Sequence, residues 1–227
     1  MRTLRRSPEP AVLVTKKAEW TAAFLAKRAA KPGTRPESRR GYAHPEVRAA
    51  LEAMSHYKCF YCERSVKGDE GEQKAEVDHY IEVAQRPELA FEWTNLYLAC
   101  RECNKAKMGH ATISVEDCLD PCDETAEPEK HLIFEDECIR PRSGSPRGRK
   151  TITKYGLDRP QLDQARTRAL RNLDRLIIAI QRRQIQEGRR GLTDEEREAI
   201  QSFAEPEHPF SLMFRAMVEQ VKLEPST

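Results

Sequence analysis

Cys59-Phe-Tyr-Cys62 and Cys100-Arg-Glu-Cys103 bracket the runs Ala75-Glu-Val-Asp-His-Tyr-Ile-Glu82 and Trp93-Thr-Asn-Leu-Tyr-Leu-Ala-Cys100, and the second hook continues directly into Asn104-Lys-Ala-Lys107. Two Cys-x2-Cys hooks offer four thiolates, the tetrahedral sulfur set that zinc prefers, whereas a redox pair needs one hook alone. The alternative, four buried free thiols, does not explain two identical spacings. The 37 residues between the hooks exceed the roughly 15 to 20 of an ordinary zinc ribbon, so a further element has to fold between them. Ala75 to Glu82 alternates as a strand does. It sets a carboxylate, Asp78, beside an imidazole, His79, and such neighbours face opposite ways unless the strand ends or bends there. Asn95 follows His79 by sixteen residues and Asn104 comes nine later, directly behind the last cysteine. A zinc ion at the four sulfurs is expected to clamp the start of the last helix against the hairpin and to bring the Asn104 carbonyl oxygen near the Asp78 carboxylate.

The remaining composition is that of a soluble chain. Its 227 residues are 38% hydrophobic and 33% charged, enough for a core but for only one or two modest domains. No run approaches the roughly 18 apolar residues of a membrane span, and the first thirty residues lack the apolar segment of a secretion signal. A cytosol with reduced thiols is therefore expected, where seven cysteines argue for metal rather than disulfides. The net charge of +2 conceals a strong asymmetry. Residues 1–58 hold thirteen basic and five acidic residues, 59–138 eight and twenty, 139–190 fifteen and four, and 191–227 three and eight. An acidic centre thus lies between two basic arms. The arms would attract a polyanion by counterion release, although charge runs are more often solvated faces.

The fold class expected is α+β and helix-dominated, with four regions: a basic helical arm at 1–56, the cysteine module at 57–110, an acidic and proline-rich extension at 111–150, and a helical region at 151–227. Trp20, Phe24 and Leu25 share one face of a helix over Ala18 to Ala29. Lys31 to Tyr42 reads as a loop or hinge. Pro45 to Met54 is a helix with proline in its first turn. His131 to Ile139 suggests a strand or turn, followed by an exposed basic loop over Arg140 to Lys150. Leu162 to Gln186 is the strongest helical pattern, with Leu162, Ala169, Leu173, Leu176, Ile177 and Ile180 as its core stripe. Thr193 and Glu196 form a capping box for a helix to about Ala204, and Ser211 to Leu223 closes the chain. Trp93, Leu96, Leu98, Phe60 and Tyr61 are expected in the core.

Over Cys59 to Lys107 the residues resemble the His-Asn-His (HNH) endonucleases, also called ββα-metal or His-Me finger nucleases, in their zinc-knuckle form. The ordered motifs Cys-x2-Cys, Asp-His, Asn-Leu-x-Leu-x-Cys and Cys-x2-Cys-Asn-x2-Lys carry the resemblance. The third letter of the family name falls on Asn104 rather than on a histidine. The resemblance implies structural Zn²⁺ on Cys59, Cys62, Cys100 and Cys103. It also implies a catalytic site with His79 as general base, Asp78 and Asn104 as ligands of Mg²⁺ or Mn²⁺, and Asn95 bracing the loop that positions the histidine. Residue chemistry agrees, since a neutral imidazole accepts a proton near pH 7 and hard oxygens suit magnesium. Lys105 and Lys107, and in the basic loop Arg147, Arg149 and Lys150, are candidate contacts to a nucleic-acid backbone. Glu82 and His110 read as solvated neighbours.

Cys118, Cys122, His131 and Cys138 could form a second metal site, but their irregular spacing favours ordinary thiols. Leu119-Asp-Pro-Cys-Asp-Glu124, His131-Leu-Ile-Phe134, Ile139-Arg-Pro141, Arg5-Arg-Ser-Pro-Glu-Pro10 and Tyr155-Gly-Leu-Asp-Arg-Pro-Gln-Leu162 resemble a narrower group. This is the PtuB-like small nuclease subunits of Septu-type and some retron-associated anti-phage systems. That likeness implies a separate ABC/SMC-like ATPase partner and a role in immunity against phage in a bacterial cytoplasm; DNA is the expected substrate, with RNA also open. The chain has no phosphate-binding loop of its own. A catalytically idle zinc adaptor and an RNA- or tRNA-cleaving nuclease are the competing expectations.

Overall fold

The computed structural model describes residues 1–67 and 75–218. Helices α1 (Ala11–Ala30) and α2 (Pro45–Met54) precede the first cysteine hook. Strands β1 (Ala75–His79) and β2 (Leu96–Cys100) and helix α3 (Arg101–Gly109) form the central unit. A second hairpin, β3 (Leu132–Glu135) and β4 (Cys138–Pro141), leads into α4 (Pro146–Tyr155). Helices α5 (Pro160–Glu187), α6 (Asp194–Gln201) and α7 (Ser211–Val218) complete the described chain. The helix-dominated α+β class is borne out.

β1 and β2 pair antiparallel with Asp78 opposite Tyr97 and His79 opposite Leu96. All five residues of β2 are buried, because α3 and the first hook cover it and α2 also packs there. The hook leans on the strand through the Phe60 amide, which donates to the Leu98 carbonyl at 2.9 Å. Phe60, Tyr61, Trp93, Leu96 and Leu98 are all in the core, as expected. One hydrophobic cluster links them to Leu13 and Phe24 of α1, Tyr155 of α4, Leu162 and Leu173 of α5, and Met213 and Phe214 of α7.

The C-terminal region is fastened to the hook by buried polar groups. The Lys58 ammonium donates to the carbonyls of Pro206 and, at 2.9 Å, His208. The Glu63 carboxylate accepts from the Ser211 hydroxyl at 3.1 Å and the Leu212 amide at 3.3 Å. Satisfying an ammonium and a carboxylate in this way removes the desolvation cost that unpaired buried groups would carry.

Several expectations need correction. α1 begins at Ala11, seven residues before Ala18. The hinge contains an ordered turn, Ser38–Tyr42, kinked at Gly41, whose dihedral angles are not helical. Residues 140–150 are not an exposed loop. They end β4 and begin α4, where the Ser145 hydroxyl accepts from the Gly148 amide and Pro146 occupies the first turn, a standard helix start. The boundary expected at 150/151 therefore falls inside α4. By contrast, α2 spans the expected residues, and Thr193 with Glu196 makes the full capping box. α7 is seen from Ser211 to Val218; the expected continuation to Leu223 lies outside the described residues.

Candidate active site and metal centre

Cys59, Cys62, Cys100 and Cys103 converge, with their sulfurs all within 4.8 Å of one another and every residue buried. A tetrahedron with zinc–sulfur bonds of about 2.3 Å has edges of about 3.8 Å. Cys62 Sγ and Cys100 Sγ are 3.8 Å apart. Donor type, burial and spacing all fit zinc. Among the described residues no other three of His, Cys, Asp and Glu bring their ligand atoms together in this way, so Cys118, Cys122, His131 and Cys138 do not form a second centre. Instead the Cys118 thiol contacts the Ser114 carbonyl and His131 bonds the Ser145 hydroxyl. Burial pushes the Cys118 thiol up to about 11 and Cys122 up to about 12.

Sequence reasoning missed Arg159. Its guanidinium nitrogens lie 3.5 Å from Cys103 Sγ and 3.9 Å from Cys100 Sγ. Burial works against its charge, but the sulfurs of Cys103, Cys62 and Cys100 outweigh burial and raise its pKa. Four thiolates around a divalent ion carry a net negative charge, and this arginine is placed to offset it.

A cleft of about 610 Å³ opens beside the hairpin, lined among others by Asp78, His79, Glu82, Asn104 and Lys107. β1 ends at His79, which is how two oppositely directed neighbours border one cleft. His79 Nε2 lies 2.9 Å from the Ala90 carbonyl oxygen. A carbonyl can only accept, so Nε2 carries the proton and Nδ1 keeps its lone pair. The Tyr42 ring lies 4.5 Å from the imidazole. Burial lowers the histidine's pKa despite the opposing pull of the Ala90 carbonyl and Asp78, which favours the neutral, proton-accepting ring.

Asn95 is buried and braces the loop after His79. Its Oδ1 accepts from the Ile81 amide at 2.7 Å, and its Nδ2 donates to the carbonyls of Ile81 and Leu89, both at 3.1 Å. The backbone bonds expected of it are present. Arg6, which sequence reasoning left without a role, holds the turn that carries Asn95. Its guanidinium donates to the carbonyls of Trp93, Thr94 and Leu96 at 2.7 to 2.9 Å and lies 4.5 Å from the Tyr97 ring centre.

The other face of β1 meets α3. There the Asn104 amide donates to Glu76 at 2.8 Å, while the Lys107 ammonium sits 2.9 Å from both Asp78 oxygens and also donates to the His79 carbonyl. The Tyr61 hydroxyl donates to Asp78 Oδ2 at 2.7 Å. Lys107 thus corrects one expectation. Its side chain is 1% exposed and ion-paired rather than reaching toward a phosphate. The partner of the Asn104 amide is the Glu76 carboxylate, two residues before Asp78 on the same strand face; the alternation Glu-Val-Asp was the available signal for it.

None of Lys105, Arg147, Arg149 and Lys150 lines the cleft. Lys105 and Arg149 are exposed. Arg147 donates to the Cys118 carbonyl and Lys150 pairs with Asp117, both at 2.9 Å. Lys154 Nζ lies 4.0 Å from Glu82 Oε1, and His110 is exposed.

Residues 59–109 match the family model described as HNH endonuclease. The chain is 28% identical over 161 residues to the Septu protein PtuB of Bacillus thuringiensis, a match covering 71% of this chain and 55% of that protein. It is 27% identical over 205 residues to the Septu protein PtuB of Bacillus mycoides strain KBAB4, covering 75% of this chain and 68% of the relative. The chain thus spans little more than half the length of the first relative. No helix among the described residues is long and apolar enough to cross a membrane. The cysteine cage, the hairpin and α3 are the parts of the chain that match the HNH endonuclease model, so residues 59–109 form an HNH endonuclease domain within a chain similar to the Septu protein PtuB.

Proposed function

We propose that the chain is a metal-dependent endonuclease that hydrolyses phosphodiester bonds in DNA, acting as the nuclease of a cytoplasmic anti-phage complex with a separate ABC/SMC-like ATPase. The observation that carries the reading is the state of His79, a half-buried imidazole whose Nε2 proton is held by Ala90 and whose Nδ1 is left to accept a proton at a cleft. In the reaction Nδ1 takes a proton from water, the water oxygen forms a bond to phosphorus, and the opposite phosphorus–oxygen bond breaks. Asn95 keeps the loop, and so the Ala90 carbonyl, in place. Asp78 and Asn104 both line the cleft and offer hard oxygen donors of the kind that suits Mg²⁺ or Mn²⁺. Asp78 and Asn104 would hold the cation, with the Lys107 ammonium giving up at least one Asp78 oxygen. When bound, such an ion relieves phosphate charge and stabilises the departing alkoxide.

A second reading has a specific observation in its favour. Lys107 already neutralises Asp78, as a catalytically idle zinc adaptor would need. Incubating the purified protein, with and without its ATPase partner, with plasmid DNA and total RNA in Mg²⁺ or EDTA separates the alternatives. Mg²⁺-dependent cutting of plasmid that His79→Ala abolishes, with zinc content unchanged, supports the proposal. Absence of any divalent-dependent cutting supports the adaptor, and cutting of RNA alone redirects the substrate.

A further inference from the structure

The cleft is closed on one side by a segment outside the matched nuclease domain. From Lys27 to Tyr42, the end of α1 and the hinge carry Lys27, Arg28, Lys31, Arg35, Arg39 and Arg40 against a single acid, Glu37. Elsewhere the basic residues are frequently paired, as in Lys17 with Glu9 and Glu92, Arg48 with Glu52, and Lys150 with Asp117. Among the described residues none of these six cations meets a carboxylate. Among the described residues Arg28 donates only to the Thr34 carbonyl, at 3.4 Å, and Arg35, Arg39 and Arg40 are exposed.

The segment is nevertheless ordered and fixed over the site. The Thr34 hydroxyl and amide both bond the Lys31 carbonyl. The amides of Tyr42 and Ala43 bond back to Glu37 and Ser38. A Cβ on Gly41 would come within 2.8 Å of Phe91, so the backbone lies flat against that ring. Tyr42 then rests on His79. Arg28 and Arg35 line the wall of the catalytic cleft. Arg35 also lines an adjoining cavity of about 360 Å³, together with Lys27, Arg40 and the half-buried Trp20. Unpaired guanidiniums beside an accessible indole are the chemistry that grips a phosphate backbone and stacks a base.

We infer that this strap, with the end of α1, is the track for the nucleic-acid strand: Arg28 and Arg35 hold phosphates at the reacting end, and Arg40, Lys27 and Trp20 receive the neighbouring nucleotide. The inference rests on the nuclease reading for what happens at His79 but not for the binding itself. Its test uses full-length protein carrying His79→Ala, titrated with a labelled single-stranded 20-mer of DNA and of RNA across a KCl series. Each arginine that neutralises a phosphate contributes about 0.7 to the slope of log affinity on log salt for a single strand. The double variant Arg35→Ala/Arg40→Ala should therefore flatten that slope by about 1.4, whereas Arg175→Ala/Arg182→Ala on the exposed face of α5 should leave it unchanged. Oligonucleotide should also quench the emission of Trp20, with Trp93 buried, and Trp20→Phe should remove the quench. An unchanged slope in the strap variant, or no binding at all, overturns the inference even if the wild type cuts plasmid. Strap-dependent binding by a wild type that cuts nothing leaves it standing and removes the proposed activity instead.

Discussion

Replacing Arg159 by leucine tests the zinc centre through a residue that is not a ligand. The guanidinium makes two contacts of 3.5 Å to Cys103 Sγ and one of 3.9 Å to Cys100 Sγ, and it is the group set against the surplus negative charge of a four-thiolate site. Loss of such a partner typically lowers metal affinity by about 10- to 100-fold, which is about 1.4 to 2.8 kcal/mol. The same side chain donates to the Gly156 carbonyl at 2.7 Å and the Tyr155 carbonyl at 3.3 Å, so it also closes the end of α4. The two roles separate in two measurements. Competition with a chromogenic chelator at pH 7 reads the affinity, and thermal melting in excess zinc reads the loss at α4. Protons compete with zinc for thiolates, so the variant should also release its metal at a higher pH than the wild type. A variant whose affinity stays within twofold of the wild type, while its melting temperature falls, would refute the electrostatic role and leave only the helix cap.

Asn95→Ala leaves the Ile81 amide and the Leu89 carbonyl without their buried partner and should cost about 1 to 3 kcal/mol in urea unfolding; cleavage should fall through kcat with KM little changed. Lys107→Met strands the Asp78 carboxylate beside Tyr61 alone and should destabilise the apo protein by about 3 to 5 kcal/mol. Millimolar Mg²⁺ should restore more melting temperature to that variant than to the wild type, and no difference between them would remove Asp78 from the metal site. Burial holds the His79 pKa below its ordinary 6.5, so the ring stays neutral as pH falls to that value. The acid limb of kcat should lie below about 6.5, and a limb above it contradicts the lowered pKa. Gly41→Ala should push the strap off Phe91 and slow cleavage while leaving zinc affinity intact.

The parts legible from sequence were those whose partners lie close in the chain or repeat a spacing. The cysteine hooks needed only two Cys-x2-Cys signals, α2 showed proline at its start, and Thr193 with Glu196 announced its own helix. α4 was missed because its proline- and glycine-containing start has poor helical propensity. Burial of Thr151, Ile152 and Tyr155 decides the matter there. Lys107 was misjudged for a related reason. A lysine three residues after Asn104 reads as a phosphate contact until β1 brings Asp78 beneath it. Arg159 gave no local sign, being 56 residues beyond Cys103. The unpaired strap was legible as charge, but its place beside His79 depends on α1 packing Phe24 and Trp20 against Phe91.

Lys58 and Glu63, which flank the first hook, spend their charges on the segment from Pro206 to Leu212, and Arg159 reaches the second hook from the start of α5. Small nuclease motifs are easily imagined as cassettes that recombination can move between hosts. Here a transplant of residues 59–109 would carry a severed carboxylate and an uncompensated sulfur cage into its new setting. Residues 59–109 and the C-terminal helices thus share one set of buried charges, and neither part closes its polar contacts without the other.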